Sequence, residues 1–489
     1  MSGYASGAGF ARSREAFAAT EQWLAGPGSA GLQLAALEEE LAARGRELQR
    51  RLLQDHLFAR AAAEPRLAAV TGPDGIARTR AERGQQVGLS TVFGGVRASR
   101  IAYRAPGVPN VYPAGELLGL PAGRHSQGLA KMVAIAAAAG SLAAACVQVR
   151  ARTGCKLGTR QCQQLARAAA ADFGGFYAGR RPPPGAGAGQ VLVISCDAKG
   201  IRVRPDQQRS RAAALAGKAA PKQDGRLSRG EAGTRRRMAA VAAVYDITPV
   251  PRTAADITGP GPRRPAPKAA GKWLTASIAQ DTASVIAAAF AEADRRDPAR
   301  QRTWIALADG NKDQIAQIRS RAAARGIAVT IVIDIIHVSE YLWDAAWCLF
   351  PEASPGAGPW VRARIAEILD GRAAGVAAAL RQAAASLGKA KRKTAGKTAA
   401  YLEAKAPFLD YPAALAAGWP IATGVIEGAC RYLVKDRMDI TGARWGIQTA
   451  EAILQLRAII ANHDFEDYWA WHLQREHERT YPRHYDLAA

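Results

Sequence analysis

Cysteine is scarce in this 489-residue chain, and its spacing does not suit metal binding. None of the six cysteines forms a Cys-x-x-Cys pair, and Cys155 and Cys162 stand seven residues apart without a neighbouring histidine. This spacing argues against a zinc finger and against a disulfide framework. We expect the thiols to be small buried groups of a protein in a reducing cytoplasm.

Long apolar runs are also missing. The richest one, residues 132–147, is dominated by alanine and is too short to cross a bilayer. The first residues do not follow the pattern of a secretory signal peptide. We therefore expect a soluble cytoplasmic protein with no membrane partner.

Acidic residues are the third shortage. The chain has 42 Asp and Glu against 66 Lys and Arg, a formal net charge of +24. Such a field attracts polyanions, and nucleic acid is the commonest of them, which favours a protein that binds nucleic acid. A general basic bias or a ribosome-associated protein is the alternative. The length predicts two or three domains.

The N-terminal third is expected to be helical and then β-rich. Residues 1–64 form a helical region in which Leu34, Leu41 and Leu48 stand seven apart, as in either a short coiled coil or a packed bundle helix. Residues 65–126 contain two β-rich stretches around Gly94 and Gly95, which predict a small β-ribbon.

Residues 127–180 resemble a helix-turn-helix. Helical patterns over 141–153 and from residue 159 onward flank a short glycine-containing turn. Arg160, Gln161 and Gln164 at the start of the second helix suit contacts with base edges and phosphates in a major groove. An ordinary pair of core helices accounts for the same pattern.

A proline- and glycine-rich linker at 181–187 precedes an α/β region. Over 188–337, the first part of the expected catalytic core, apolar strands end at Asp197 and Asp309, and a third strand is predicted over 327–336. Between the first two strands, residues 208–237 form a basic loop that includes Arg235, Arg236 and Arg237.

The last third is helical and basic. Residues 338–420 are expected to be a helical insertion with Lys391, Arg392 and Lys393 in a basic patch. Residues 421–489 complete the core and carry Glu427 on a helix. Cations and one tryptophan follow this acid and suit either DNA contact or surface solvation: Arg431, Lys435, Arg437, Arg444 and Trp445.

Separated carboxylates with basic surroundings fit metal-dependent phosphodiester chemistry. Two divalent ions activate the nucleophile and neutralise the leaving oxygen, and a few carboxylates from distant parts of a chain hold them. Asp197, Asp309 and Glu427 are the candidates. Asp334 is a rival for the second position, but Gly310 and Asn311 suit an exposed strand end, whereas Asp334 stands in an apolar run.

Four stretches resemble insertion-sequence transposases of the ISKra type: Ser195–Gly200, Ala306–Asn311, Asp334–Trp343 and Gly424–Gly428. The resemblance covers about residues 90–485. It implies an RNase H-like α/β catalytic domain with a helical insertion, preceded by a helical and β-ribbon DNA-binding region. It also implies a DDE triad of Asp197, Asp309 and Glu427 that binds Mg²⁺ or Mn²⁺, two ions in all.

Asp334 and His337 match the D-x-x-H signature of several such lineages, and they are expected to be accessory. His337 either contacts DNA, orients a carboxylate or is simply structural. One departure is clear: relatives often carry a cysteine-rich element near the β-ribbon, and residues 80–120 contain no cysteine.

The expected function is therefore a DDE transposase. It would bind the terminal inverted repeats of an insertion sequence, cleave the DNA and join the ends to a target, acting on double-stranded DNA as a homo-oligomer. Two alternatives remain: a catalytically inactive DNA-binding descendant, and a structure-specific RNase H-like nuclease.

Overall fold

The chain folds into two compact units in the computed structural model. The structure describes residues 9–180, 190–207, 236–259, 261, 263–440, 442–481 and 486–488. Unit 1 comprises residues 1–178 and 464–489, and unit 2 comprises residues 179–463. The linker at 181–187 and the basic loop up to Arg235 lie outside the described residues.

Unit 1 is mainly helical. Its described helices are α1 (Ala11–Ala25), α2 (Pro27–Ala30), α3 (Leu34–Ala63), α4 (Pro113–Leu117), α5 (Gln127–Ala139), α6 (Leu142–Thr153), α7 (Thr159–Ala169) and α8 (Phe173–Gly179). Its first strands are β1 (Ala69–Thr71), β2 (Ala77–Arg78), β3 (Arg80–Thr91) and β4 (Gly94–Arg104). The antiparallel pairing of β3 with β4 confirms the predicted ribbon.

Two of the alternatives left open by the sequence concern helices of unit 1. Leu34 is 71% exposed and Leu41 is 42% exposed, so the sevenfold leucine spacing is not a buried seam in this chain. Helices α5, α6 and α7 pack on one another. The αL glycine Gly154 ends α6 as the helix-turn-helix pattern predicts.

The C-terminal tail belongs to unit 1, whereas the sequence placed it with the catalytic core at 421–489. A hydrogen bond of 2.7 Å joins the Tyr468 hydroxyl to the Ala169 carbonyl, and Asp172 accepts two bonds from Arg479. The tail therefore packs in unit 1, although in sequence it directly follows the segment that carries Glu427.

Unit 2 is built on a mixed sheet. Its described strands are β5 (Val191–Arg202), β6 (Arg236–Ile247), β7 (Ala269–Ser277), β8 (Trp304–Ala308) and β9 (Val329–Ile333), in the order β7-β6-β5-β8-β9. Strands β5, β6 and β7 pair antiparallel, and β8 and β9 continue the sheet in parallel from β5. The residues of β8 are all buried, as expected for a strand covered on both faces.

Helices cover the sheet and extend unit 2. They are α9 (Ala255–Thr258), α10 (Thr282–Arg296), α11 (Lys312–Arg325), α12 (Ile335–Leu349), α13 (Ala357–Leu369), α14 (Ala373–Ala384), α15 (Lys389–Lys405), α16 (Tyr411–Ala416), α17 (Gly424–Ala429), α18 (Asp436–Met438) and α19 (Ile447–Ala461). In unit 1 the tail adds α20 (Phe465–Thr480) and β10 (Asp486–Ala488). None of these helices is long and apolar enough to cross a membrane.

Two strand boundaries differ from the sequence prediction. Strand β5 continues past Asp197 to Arg202 because β6 pairs with its whole length. Strand β9 stops at Ile333 rather than at residue 336, because Asp334 caps α12 by accepting a hydrogen bond from the Ile336 amide at 2.9 Å.

Candidate active site

Three aspartates lie on or just after neighbouring strands of the sheet. The parallel register sets Ser195 opposite Leu307, and Asp197 and Asp309 each follow two residues later along their own segments. Ala308 lies opposite Ile333, and Asp309 and Asp334 are the residues that follow these two. The Asp334 amide donates to the Ala308 carbonyl at 2.9 Å, which holds Asp334 beside the end of β8.

Asp197 contacts the helical segment that follows Glu427. One carboxylate oxygen accepts a bond of 2.6 Å from the Ala198 amide, and the other accepts the Cys430 thiol at 3.3 Å. Burial and the Asp197 charge raise the pKa of that thiol well above its usual range, so it remains a neutral donor.

Asp334 is the most buried of the three aspartates, with 3% of its surface exposed. Its Oδ1 accepts the Ile336 amide and its Oδ2 accepts the Thr423 hydroxyl. Burial raises the pKa of Asp334, although these hydrogen bonds act in the opposite direction. Asp334 is thus held in one orientation. It lies near enough to Glu427 for its charge to raise the pKa of Glu427, although the two residues are far apart in sequence.

Asp309 is held through its backbone by the helical insertion. The Tyr401 hydroxyl of α15 donates to the Asp309 carbonyl at 3.2 Å, and the Asp309 carboxylate accepts the Asn311 amide at 2.8 Å. Gly310 has φ of 91°, and a Cβ there would lie 2.6 Å from the Tyr401 hydroxyl. This glycine allows the close approach that positions Asp309.

Glu427 lies on α17, which continues into a π-helical turn, Cys430–Lys435. Such turns are rare and occur often at functional sites. Partial burial raises the pKa of Glu427, and the negative charges of Asp334, Glu340 and Asp197 raise it further. The ionised carboxylate is therefore crowded by like charges that a cation would neutralise.

These side chains line one cleft of about 420 Å³ in unit 2. The acids facing it are Asp197, Asp309, Asp334, Glu340 and Glu427, and the bases are Lys199, Arg431 and Lys435. The sheet supplies one wall, and the helices that begin near Asp334 and Glu427 supply the other. A cleft that presents several carboxylates together with the exposed cations Arg431 and Lys435 suits a phosphodiester held against metal ions.

The acids are not gathered into a finished metal site. Across the described residues, no three Asp, Glu, His or Cys side chains are arranged to hold a metal ion. The donor chemistry still fits a hard divalent cation, because several carboxylates face the cleft and their charges raise the pKa of Glu427. The carboxylates would have to draw together to bind an ion.

His337 lines the cleft and contacts the carboxylate of Glu340. Its Nδ1 lies 3.1 Å from Glu340, and its ring meets the edges of Tyr341 and Tyr401, which stack on each other at 4.0 Å. His337 therefore orients Glu340 beside Glu427, while no direct bond joins it to Asp334 among the contacts described.

Two predicted DNA contacts need correction. Arg437 is 3% exposed and its guanidinium lies 4.7 Å from the Trp445 ring centre. Trp445 is 7% exposed and donates its indole N–H to the Met438 carbonyl at 3.0 Å. Both side chains are packed inside unit 2, so neither presents a surface to a phosphate.

The other predicted contacts fall in several places. Arg431 and Lys435 are exposed at the cleft, and Arg444 is exposed close by in sequence. Arg236 and Arg237 begin β6, Arg235 is outside the described residues, and Lys391, Arg392 and Lys393 are exposed on the first turns of α15 without lining the cleft. In unit 1, Arg160, Gln161 and Gln164 are exposed at the start of α7.

Sequence reasoning missed several residues that shape the cleft: Thr423, Cys430, Glu340 and Tyr401. Glu340 had a local signal, because it stands one helical turn after His337. The partners of the others are 89 to 233 residues away in sequence, and no local pattern identifies them.

Comparison of the chain with protein-family models and with curated protein sequences finds no match.

Proposed function

We propose that this protein is a DDE transposase of the insertion-sequence type that cleaves and joins DNA with Mg²⁺ or Mn²⁺. The observation that carries the proposal is the meeting of Asp197, Asp309 and Glu427 in one cleft with cations at its rim. The mixed sheet, with three antiparallel strands on one side and two parallel strands on the other, is compatible with an RNase H-like core.

Asp197, Asp309 and Glu427 are the residues that would hold the ions. Bound divalent ions supply a deprotonated attacking oxygen and neutralise charge on the leaving oxygen. Arg431 and Lys435 are exposed beside Glu427 and can bind the phosphates on either side of the scissile bond. Asp334, fixed by Thr423, keeps negative charge beside Glu427 and favours a cation there.

The test is a cleavage assay on duplexes taken from the DNA that flanks the gene. Wild-type protein should cut them only with added Mg²⁺ or Mn²⁺, and Glu427→Gln should lose cutting by at least a hundredfold while it keeps DNA binding. The Glu352→Gln variant is the matched control, since it removes an exposed carboxylate of unit 2 that does not line the cleft and should keep cutting. Equal cutting by Glu427→Gln and wild type would reject the proposal.

A second function has one observation in its favour. No three metal-binding side chains are gathered together in the described part of the chain, as expected for a descendant that binds DNA without cutting it. Calorimetric titration with Mn²⁺ separates the two functions. Binding that disappears in Asp197→Asn and Glu427→Gln supports the enzyme, and no Mn²⁺ binding with intact DNA binding supports the inactive descendant.

A transposase must hold two DNA ends together, so we further expect a homo-oligomer on DNA in the bacterial cytoplasm. Light scattering of the complex with a flanking duplex tests this, and a complex of one protein chain would contradict it.

A further inference from the structure

The β3–β4 ribbon has two chemically different faces. Residues alternate along both strands, and Leu89, Val96 and Ala98 turn inward to join a buried cluster with Leu57 of α3. Neighbouring positions turn outward. One face is thus fixed by the core of unit 1, and on the other face Gln86, Gly88 and Arg97 are exposed while Ser99 is half-buried.

The outer face carries polar residues and a glycine. Gln86 pairs across the strands with Ser99, and Gly88 pairs with Arg97. A Cβ built on Gly88 would meet nothing within 4 Å, which means that the backbone is open on this side. Because Gly88 has no side chain, a ligand that contacts Arg97 and Gln86 can also come close to the backbone of the strands.

The ribbon is also strongly positive. Residues 80–104 contain five arginines, at 80, 83, 97, 100 and 104, against the single acid Glu82. Glu82 pairs with Arg104, and Arg100 lies 3.8 Å from the ring centre of Tyr112. Among the described residues no carboxylate pairs with Arg97, so its charge is available to a polyanion.

Duplex DNA matches the exposed Arg97 and Gln86 of this face in chemistry and in spacing. The major groove is about 12 Å wide and admits a two-stranded ribbon, where Arg reads guanine and Gln reads adenine. Diagonal positions on paired strands, such as those of Gln86 and Arg97, are about 7 Å apart. That distance is about two base-pair steps of 3.4 Å.

The ribbon is tied to the helix-turn-helix candidate. The Cys155 thiol, in the turn between α6 and α7, donates to the Thr91 carbonyl at the ribbon tip at 3.2 Å. The Ser90 amide donates to the Arg124 carbonyl at 2.8 Å, just before α5. The ribbon and the first turn of α7 are therefore held in one arrangement within unit 1.

We propose that the outer face of the ribbon, centred on Gln86 and Arg97, reads duplex DNA in a major groove as a second recognition element beside α7. This inference rests on the proposed function, for which it supplies a means of recognising a DNA sequence in a chain with no cysteine between residues 80 and 120.

Fluorescence anisotropy of the full chain tests the proposal, with a flanking duplex and a shuffled duplex of the same composition, in EDTA so that cleavage plays no part. Arg97→Ala and Gln86→Ala should each weaken binding to the flanking duplex roughly 5- to 150-fold and change binding to the shuffled duplex much less. Arg97→Lys keeps the charge but not the two-pronged contact, so it should still lose affinity for the flanking duplex. Arg372→Ala removes an exposed arginine in unit 2 and serves as the control for net charge.

Wild-type affinity in both ribbon variants would overturn the proposal. Equal weakening on the two duplexes would overturn it as well, because it would indicate phosphate contacts without sequence reading. Failure of the proposed function looks different: the flanking duplex is not cut by wild-type protein, or is cut equally by Glu427→Gln, whatever the ribbon variants bind.

Discussion

The Thr423→Val substitution tests the contact that orients Asp334. Valine has the shape of threonine without the hydroxyl, and Thr423 is only 6% exposed. In the native protein this hydroxyl donates to Oδ2 of Asp334, itself 3% exposed. The variant leaves that oxygen of a buried carboxylate without its side-chain donor, while the Ile336 amide still serves the other oxygen.

The expected loss follows from the charge and burial of the acceptor. A hydrogen bond to a charged group contributes about 1.5–3 kcal/mol, so we expect Thr423→Val to lower the free energy of unfolding of unit 2 by about 2 kcal/mol. Thr423→Ser keeps the hydroxyl and should lose less than about 1 kcal/mol. In an Asp334→Asn background the acceptor is neutral, and the valine substitution should cost only about 1 kcal/mol.

The pH dependence gives a second signature. Burial raises the folded-state pKa of Asp334 above its ordinary 3.8, so its ionised form is penalised in the folded protein. The contribution of Asp334 to stability therefore falls as pH rises from 3.8 to the folded pKa, and is constant above it. Thr423→Val removes a bond that favours the ionised form, so it should extend this fall to higher pH.

Hydrogen exchange followed by mass spectrometry in a urea series is the suitable assay. Peptides from β9 and α12 report the opening of unit 2 without assuming that both units unfold together. The reasoning is refuted if Thr423→Val loses less than about 0.5 kcal/mol at pH 7, or if the serine and valine variants lose the same amount.

The elements that bring acids to the cleft were largely predictable from sequence. The apolar run Trp304–Ala308 is a buried strand, and as predicted it ends at Asp309. The ribbon of β3 and β4 followed from two β-rich stretches and two glycines. Local patterns suffice in these places because a buried strand and a tight turn each require particular residue types at short range.

Boundaries set by distant partners were not predictable. Strand β5 passes Asp197 because β6 supports it up to Arg202, and the sequence of β5 does not show that support. The argument that favoured Asp309 over Asp334 also changes. Asp334 stands at the start of a helix and also lines the cleft, so the feature that distinguishes it from Asp309 is its greater burial and not a position inside a strand.

Charge in the sequence likewise does not give direction in space. Arg431 and Arg437 stand six residues apart after Glu427, yet Arg431 is exposed at the cleft and Arg437 is buried on Trp445. The π-helical turn between them changes the angle at which successive side chains leave the helix. A count of cations near a candidate acid therefore overestimates how many of them can reach DNA.

Two further substitutions probe contacts that hold each unit together. Asp172→Asn should lower the free energy of unfolding of unit 1 by about 3 kcal/mol at pH 7, since it leaves Arg479 and the buried His472 without their carboxylate. Burial opposes ionisation of Asp172, but the hydrogen bonds from both partners outweigh it and lower the pKa of Asp172. The loss of stability should therefore shrink as the pH falls through that pKa. A urea titration at pH 7 and pH 3 with equal losses would contradict this. Gly310→Ala should cost more than Gly326→Ala, because both positions have positive φ but only at the first would the added Cβ meet the Tyr401 hydroxyl, at 2.6 Å. The control should lose about 1–2 kcal/mol from backbone strain alone. The clash must also displace the carbonyl beside the proposed metal ligand, so Gly310→Ala should reduce DNA cleavage when Gly326→Ala does not, and equal cleavage by the two variants would show that the insertion helix does not position the acid.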